Sequence, residues 1–164
     1  VDVTTMADLQ AVRVGVWLDR AFIQSPGNIG GVKLGGMRHS QVLIGTEPFE
    51  LLGTTFTPLR LYHGRYRVLG FRFGNVAYCT DVNKIADEAW PLLKGVDVLI
   101  LDALRKKFHP THFSLPQAIE TANKVGARRT LFTHMSHDLE HDETNAELPD
   151  GMELAYDGLQ IELT

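Results

Sequence analysis

Val76-Ala77-Tyr78-Cys79-Thr80-Asp81 and Val98-Leu99-Ile100-Leu101-Asp102 decide the fold. Each is an apolar run too short for a helix that stops at a carboxylate, which is how a buried strand ending at a sheet edge reads. Upstream of the first run the pattern is β. Residues 41–44, 49–52, 54–62, 66–73 and 75–80 are rich in β-branched and aromatic side chains and are separated by short glycine-bearing turns, so antiparallel hairpins or a meander are expected. Downstream the period changes, to a helix over 84–94, a strand over 97–102, a helix over 115–125 and a strand over 130–133. Ser114 is placed to cap the second of these helices with Pro116 in its first turn, and Gly126 to close it. The tail, 152–156 and 159–163 around Asp157-Gly158, reads as a hairpin with a type I′ turn. Before residue 40 there is a short helix over 6–12 and a tract, 27–36, that holds five of the 15 glycines and reads as a loop. Sheet first, then helix alternating with strand, gives an α/β sandwich in a single domain.

Composition bounds the function. The 164 residues are enough for one core, and 44% hydrophobic with 22% charged residues are ordinary globular proportions. A net charge of -4 gives no general attraction to a polyanion, so broad nucleic-acid binding is not expected. The lone Cys79 excludes an internal disulfide and a zinc site built on several thiolates, and fits a reducing compartment; cytoplasm is expected. Apolar runs such as 98–101 are far below the roughly 20 residues of a membrane span.

Six of the seven histidines, His63, His109, His112, His134, His137 and His141, fall at strand ends or in loops once the sheet region has begun. Imidazole is both the commonest metal ligand and a near-neutral acid or base, so such a set beside carboxylates suits a metallohydrolase. His63 follows a strand and precedes Gly64, Asp81 and Asp102 each end an apolar run, and His134 follows another. One sheet edge could gather all four. Asp81 reads either as a ligand, able to bridge two cations, or as a helix N-cap, and Asp102 as a ligand or as a carboxylate orienting a ligating histidine. If the tract 134–143 is helical, His134, His137 and His141 share a face, which as a bare pattern is equally a solvated surface.

These residues also carry a family resemblance. Tyr62-His63-Gly64, Tyr78-Cys79-Thr80-Asp81-Val82, Leu101-Asp102-Ala103-Leu104-Arg105, His109-Pro110-Thr111-His112-Phe113-Ser114 and Thr133-His134-Met135-Ser136-His137-Asp138, with Leu154-Ala155-Tyr156-Asp157-Gly158, resemble in order the metallo-β-lactamase-fold phosphodiesterases of the type that accompanies the carbon-phosphorus lyase pathway. The resemblance implies an αββα sandwich and a site for two divalent ions, manganese or zinc, with iron as the alternative. It makes His63 a ligand of one ion, Asp81 the bridge and His134 a ligand of the other. His112 would be the catalytic acid or phosphate contact, Asp102 and His137 support around the site, and Arg105 a phosphate contact. The implied reaction is hydrolysis of small or cyclic phosphodiesters by a hydroxide on the metals. The family's His-x-His-x-Asp-His segment does not occur in these residues and is expected upstream of Val1, so the chain reads as a C-terminal portion whose metal occupancy alone is partial or nil. Self-association is expected of a chain with part of its sheet elsewhere. An inactive interaction module, and RNA-processing, thioesterase or lactamase activity on the same fold, are the competing readings.

Overall fold

In residues 54–63 polar Thr54 and Thr55 give way to alternating apolar positions, and in 66–73 bulky side chains flank Gly70; both stretches form long strands. The structure, a computed structural model, describes residues 47–51 and 53–161, and the backbone of four two-residue strands before them. These are β1 (Phe22–Ile23), β2 (Asn28–Ile29), β3 (Val32–Lys33) and β4 (Gln41–Val42). β1 pairs antiparallel with β4, and β2 with β3. The tract expected to be a loop therefore contains a small strand pair, in register Ile29 with Val32, with Gly30 and Gly31 between them in sequence. The helix expected over 6–12 lies outside the described residues.

One mixed sheet organises the rest. It consists of β5 (Phe49–Leu51), β6 (Thr54–His63), β7 (Tyr66–Phe73), β8 (Val76–Cys79), β10 (Val98–Asp102), β11 (Arg129–Thr133) and β12 (Met152–Leu154), in the order β12-β11-β10-β8-β7-β6-β5, and β9 (Lys84–Ile85) pairs β6. β5 to β8 are antiparallel neighbours, as the glycine turns require, whereas β8, β10, β11 and β12 run parallel. Two antiparallel steps return β6 to the direction of β8. The C-terminal ends of β6, β8, β10 and β11 consequently share one edge of the sheet.

Helix α1 (Leu115–Val125) has the expected bounds. Gln117 Oε1 accepts from both the Ser114 N–H (3.0 Å) and its hydroxyl (2.9 Å), and Gly126 closes the last turn with its N–H on Ala122 O at 2.9 Å. The helix expected over 84–94 forms differently. Lys84 and Ile85 pair with Tyr62 and Leu61 of β6, and only Asp87–Leu93 coils, as a 3-10 helix, with Pro91 inside it. Proline lacks the N–H that an α-helix needs and disfavours α geometry in the residue before it. Arg72 finishes this turn, donating to Leu92 O and Lys94 O at 2.7 and 2.8 Å.

The tail departs from the expected hairpin. Its first strand adds parallel to β11, and no partner strand follows among the described residues. Among those residues only Asp81 and His134 combine a side chain with positive φ, so Asp157 has negative φ, while Gly158 has φ 89° and Leu159 N–H reaches Tyr156 O at 3.1 Å. That is a type II turn, which splays its flanks, rather than the type I′ turn that would fold them together. The tract 134–140 is also not helical; α2 begins only at His141 and ends at Glu147, capped by the Glu140 carboxylate on Glu143 N–H at 2.8 Å.

The main core lies on the helix-bearing face, where Leu59, Leu61, Cys79, Leu99, Leu101 and Phe132 meet Ala118 and Ala122 of α1. A smaller cluster, Val76, Val98 and Leu131, lies apart from it, with Phe73 and Ile100 packed against it.

Candidate metal centre

His63, Asp81, Asp102 and His134 sit at or just past the ends of strands, and His112 stands on the loop between β10 and α1. Asp81 and His134, two residues past β8 and one past β11, have φ of 52° and 60° and are the only non-glycine residues with positive φ among the described ones. Left-handed backbone in a side-chain-bearing residue costs about 1–2 kcal/mol, so two adjacent cases mark a constellation the surrounding fold enforces. Their side chains touch, His134 Nε2 to Asp81 Oδ1 at 2.9 Å. With His112 they offer three donor atoms, all within 4.8 Å of one another.

The His112 ring lies between two others. Its centroid is 4.7 Å from that of His134, stacked, and 4.6 Å from that of His63, edge-on. His112 Nδ1 bonds Asp102 Oδ2 at 2.9 Å, and Val82 N–H donates to the same oxygen at 3.0 Å. The carboxylate therefore holds the proton-bearing nitrogen and leaves Nε2 as the donor atom. Asp102 is fully buried, and burial, partly opposed by the Val82 N–H and the charge of His134, pushes its carboxyl up to about 7. Burial, with the neighbouring charges of His134 and His63, pushes the His112 imidazole down to about 4. His112 is thus neutral over the physiological range, the form that ligates a metal or accepts a proton.

Whether these groups fit divalent ions can be judged from the donor set. One carboxylate and imidazole nitrogens are the ligands that zinc, manganese or iron accept, and the donor atoms of Asp81, His112 and His134 lie within 4.8 Å of one another. His63 Nδ1 and Asp102 Oδ1 are buried without a hydrogen-bond partner among the described residues. His63 lies outside the group of donors within 4.8 Å of one another, with its ring 4.6 Å from that of His112, and an imidazole nitrogen buried there without a partner among the described residues is free to take a ligand. The group fits.

The remaining expected residues are placed less centrally. Arg105 turns its Nη2 onto Phe108 O at 3.0 Å and pairs by backbone with Ser114, so it braces the loop before His109, with its Nε buried and unbonded among the described residues. His137 was expected to support the site; its side chain is 97% exposed, 3.8 Å from Asp138, because the tract after β11 is a loop rather than a helix that would turn it inward. His109, given no role from the sequence, has its ring 5.1 Å from that of His112. Asn83, also without one, hydrogen-bonds two of the loops that carry these residues, and only its place two positions after Asp81 could have signalled it.

A family model for the beta-lactamase superfamily domain matches residues 6–135. The chain belongs to this family, and its fold is the metallo-β-lactamase fold. Among solved structures it is similar to a diphosphatase of the PhnP family, with 46% identity and a TM-score of 0.70 over 76% of this chain and 47% of that one. It resembles the metallo-β-lactamase fold protein YhfI of Bacillus subtilis at 22% identity (TM-score 0.57, 69% of this chain and 51% of that one). Human tRNase Z, short form, matches at 19% identity (TM-score 0.55, 71% and 46%). The last two likenesses concern fold alone. The chain spans about half the length of these structures. A curated relative, an octanoyltransferase of Porphyromonas gingivalis, is 37% identical over 115 residues, which are 69% of this chain and 23% of that protein. Among the described residues no helix is long and apolar enough to cross a membrane.

Proposed function

We propose that this single domain forms part of the centre of a metal-dependent hydrolase acting on small phosphate esters or anhydrides, with two divalent ions in the complete protein. The observation that carries the reading is the convergence of Asp81, His112 and His134 on one sheet edge. Asp81 would serve both ions, His134 one and His63 the other. The bound ions would activate a water and offset charge developing on the phosphorus centre. His112, neutral and oriented by Asp102, would either join the ligands or face the phosphate with its unprotonated Nε2 and take a proton from the attacking water. Arg105 sets the loop on which His109 and His112 stand. Phosphorus as the reacting centre is supported by the 46% identity to a diphosphatase. Whole-protein activity, substrate and self-association belong to this proposal.

Acyl hydrolysis is the second reading, because the curated relative is an octanoyltransferase. With 23% of that protein matched, the transferase function can reside in the unmatched remainder. Dialysis against manganese or zinc followed by elemental analysis, on the parent and on Asp81→Asn, His112→Ala and His134→Ala, tests the centre. Partial occupancy in the parent that the variants abolish is expected, and metal retained equally by all three variants overturns the reading. Bis-aryl phosphodiesters, dinucleotide anhydrides and acyl thioesters presented to the protein then choose the substrate, and turnover of the thioester alone would favour the second reading.

A further inference from the structure

The metal-centre loops do not contact one another by chance. The segment after Asp81 crosses the edge of the sheet and is tied into it, Asn83 N–H donating to Tyr62 O at 2.8 Å and Phe113 N–H donating to Val82 O at 2.8 Å. From there the Asn83 amide reaches in two directions. Its Oδ1 accepts from the Gly64 N–H at 2.8 Å, next to His63, and its Nδ2 donates to Pro110 O at 3.0 Å, between His109 and His112. The two turns it joins are pressed together. A Cβ at Gly64, where φ is 61°, would lie 2.9 Å from Thr111 Cγ2, so the backbone favours glycine and any side chain there would make Thr111 shift. The result is that the His63 and His112 rings sit at 4.6 Å although they are far apart in sequence.

We propose that Asn83 is a positioning residue that sets the spacing between His63 and His112. The inference rests on the metal-centre reading above. A carboxamide is the side chain that fits, because it accepts and donates at once from the same planar end. Aspartate keeps the acceptor for Gly64 and cannot donate to Pro110; alanine loses both. Gly64 and Pro110 then lose their common tie, and the two imidazoles separate.

The test uses the full chain, metal-free and then with zinc ion alone. Imidazole 15N shifts of His63 and His112 are expected to change in Asn83→Ala and, by a smaller amount, in Asn83→Asp. Zinc affinity by calorimetric titration should fall about 10-fold or more in Asn83→Ala, the usual size for a residue supporting a ligand. In a His63→Ala background the same substitution should change affinity by less than about 2-fold, since the spacing then has nothing to position. Unmoved imidazole shifts overturn the proposal, as does an undiminished zinc loss with His63 absent, which a general structural role would produce. If Asn83→Ala does not fold, Asn83→Asp carries both measurements. If the parent binds no zinc, the metal-free imidazole shifts decide the role of Asn83 by themselves.

Discussion

The same parallel strands behave differently at their two ends. Where β8, β10 and β11 begin, polar groups are satisfied locally. Asn75 Nδ2 donates to Asp97 Oδ2 at 2.6 Å, Asp97 N–H bonds Asn75 O at 2.7 Å, and Arg129 grips Glu153 at 2.6 Å. Where they finish, two residues carry left-handed backbone, a carboxyl is wholly buried with one oxygen unbonded among the described residues, and three histidine rings crowd together. One end is built to be stable. The other holds strain and hydrogen-bonding capacity unmet among the described residues, and the carboxyl edge of parallel strands is where α/β proteins place their ligands.

Substitutions can break this contrast. The largest effect is expected for metal affinity. Asp81→Ala or His134→Ala should weaken zinc binding more than about 100-fold, beyond the range for supporting residues, while Asn75→Ala should leave it unchanged. Calorimetric titration of the three variants checks this, and equal losses at both ends would erase the distinction.

Next in size is the pH dependence of the metal-free chain. The raised Asp102 carboxyl keeps a proton that the unfolded chain gives up, so its contribution falls as pH rises from about 4 to about 7. The depressed His112 imidazole lacks a proton that the unfolded chain holds, so its contribution rises from about 4 to 6.5. The two slopes oppose each other, and the parent should show little change across that window. His112→Gln leaves the Asp102 slope unopposed, and unfolding free energies from denaturant titration should then fall with rising pH by up to about 1.4 kcal/mol per pH unit. A pH-independent His112→Gln variant would mean that Asp102 is not held protonated.

Smaller changes are expected at the starting end. Asp97→Ala removes a part-buried acceptor from Asn75 and should cost about 1 kcal/mol in urea unfolding, with no change in zinc affinity. The smallest effect sharpens the comparison most. Asp81→Gly should abolish zinc binding yet alter metal-free stability by less than about 1 kcal/mol, in the stabilising direction. Relief of left-handed strain is offset by the entropy of glycine, and the partly exposed contact to His134 counts for little. A clear loss of stability would show that Asp81 is there for the fold.

Much of this was legible in residue order. Ser114, Pro116 and Gly126 determined α1, because capping is a local matter of which side chain can reach which backbone group, and Gln117 completed the cap in the structure. The glycine turns determined the antiparallel neighbours β5 to β8, and the apolar runs ending in Asp81 and Asp102 marked the site edge. Local pattern was less informative where the outcome depended on distant partners. Ile85 was claimed by β6 rather than by a helix, the tail by β11 rather than by its own hairpin, and His137 was left in solvent. Tertiary structure alone decided the parallel order β8-β10-β11-β12 and the packing of His63, His112 and His134 into one cluster, with His109 and Asn83 beside it. Capping and turn geometry are settled within a few residues, whereas the meeting of side chains from four strand ends depends on how the whole sheet is ordered, which no short stretch of sequence contains.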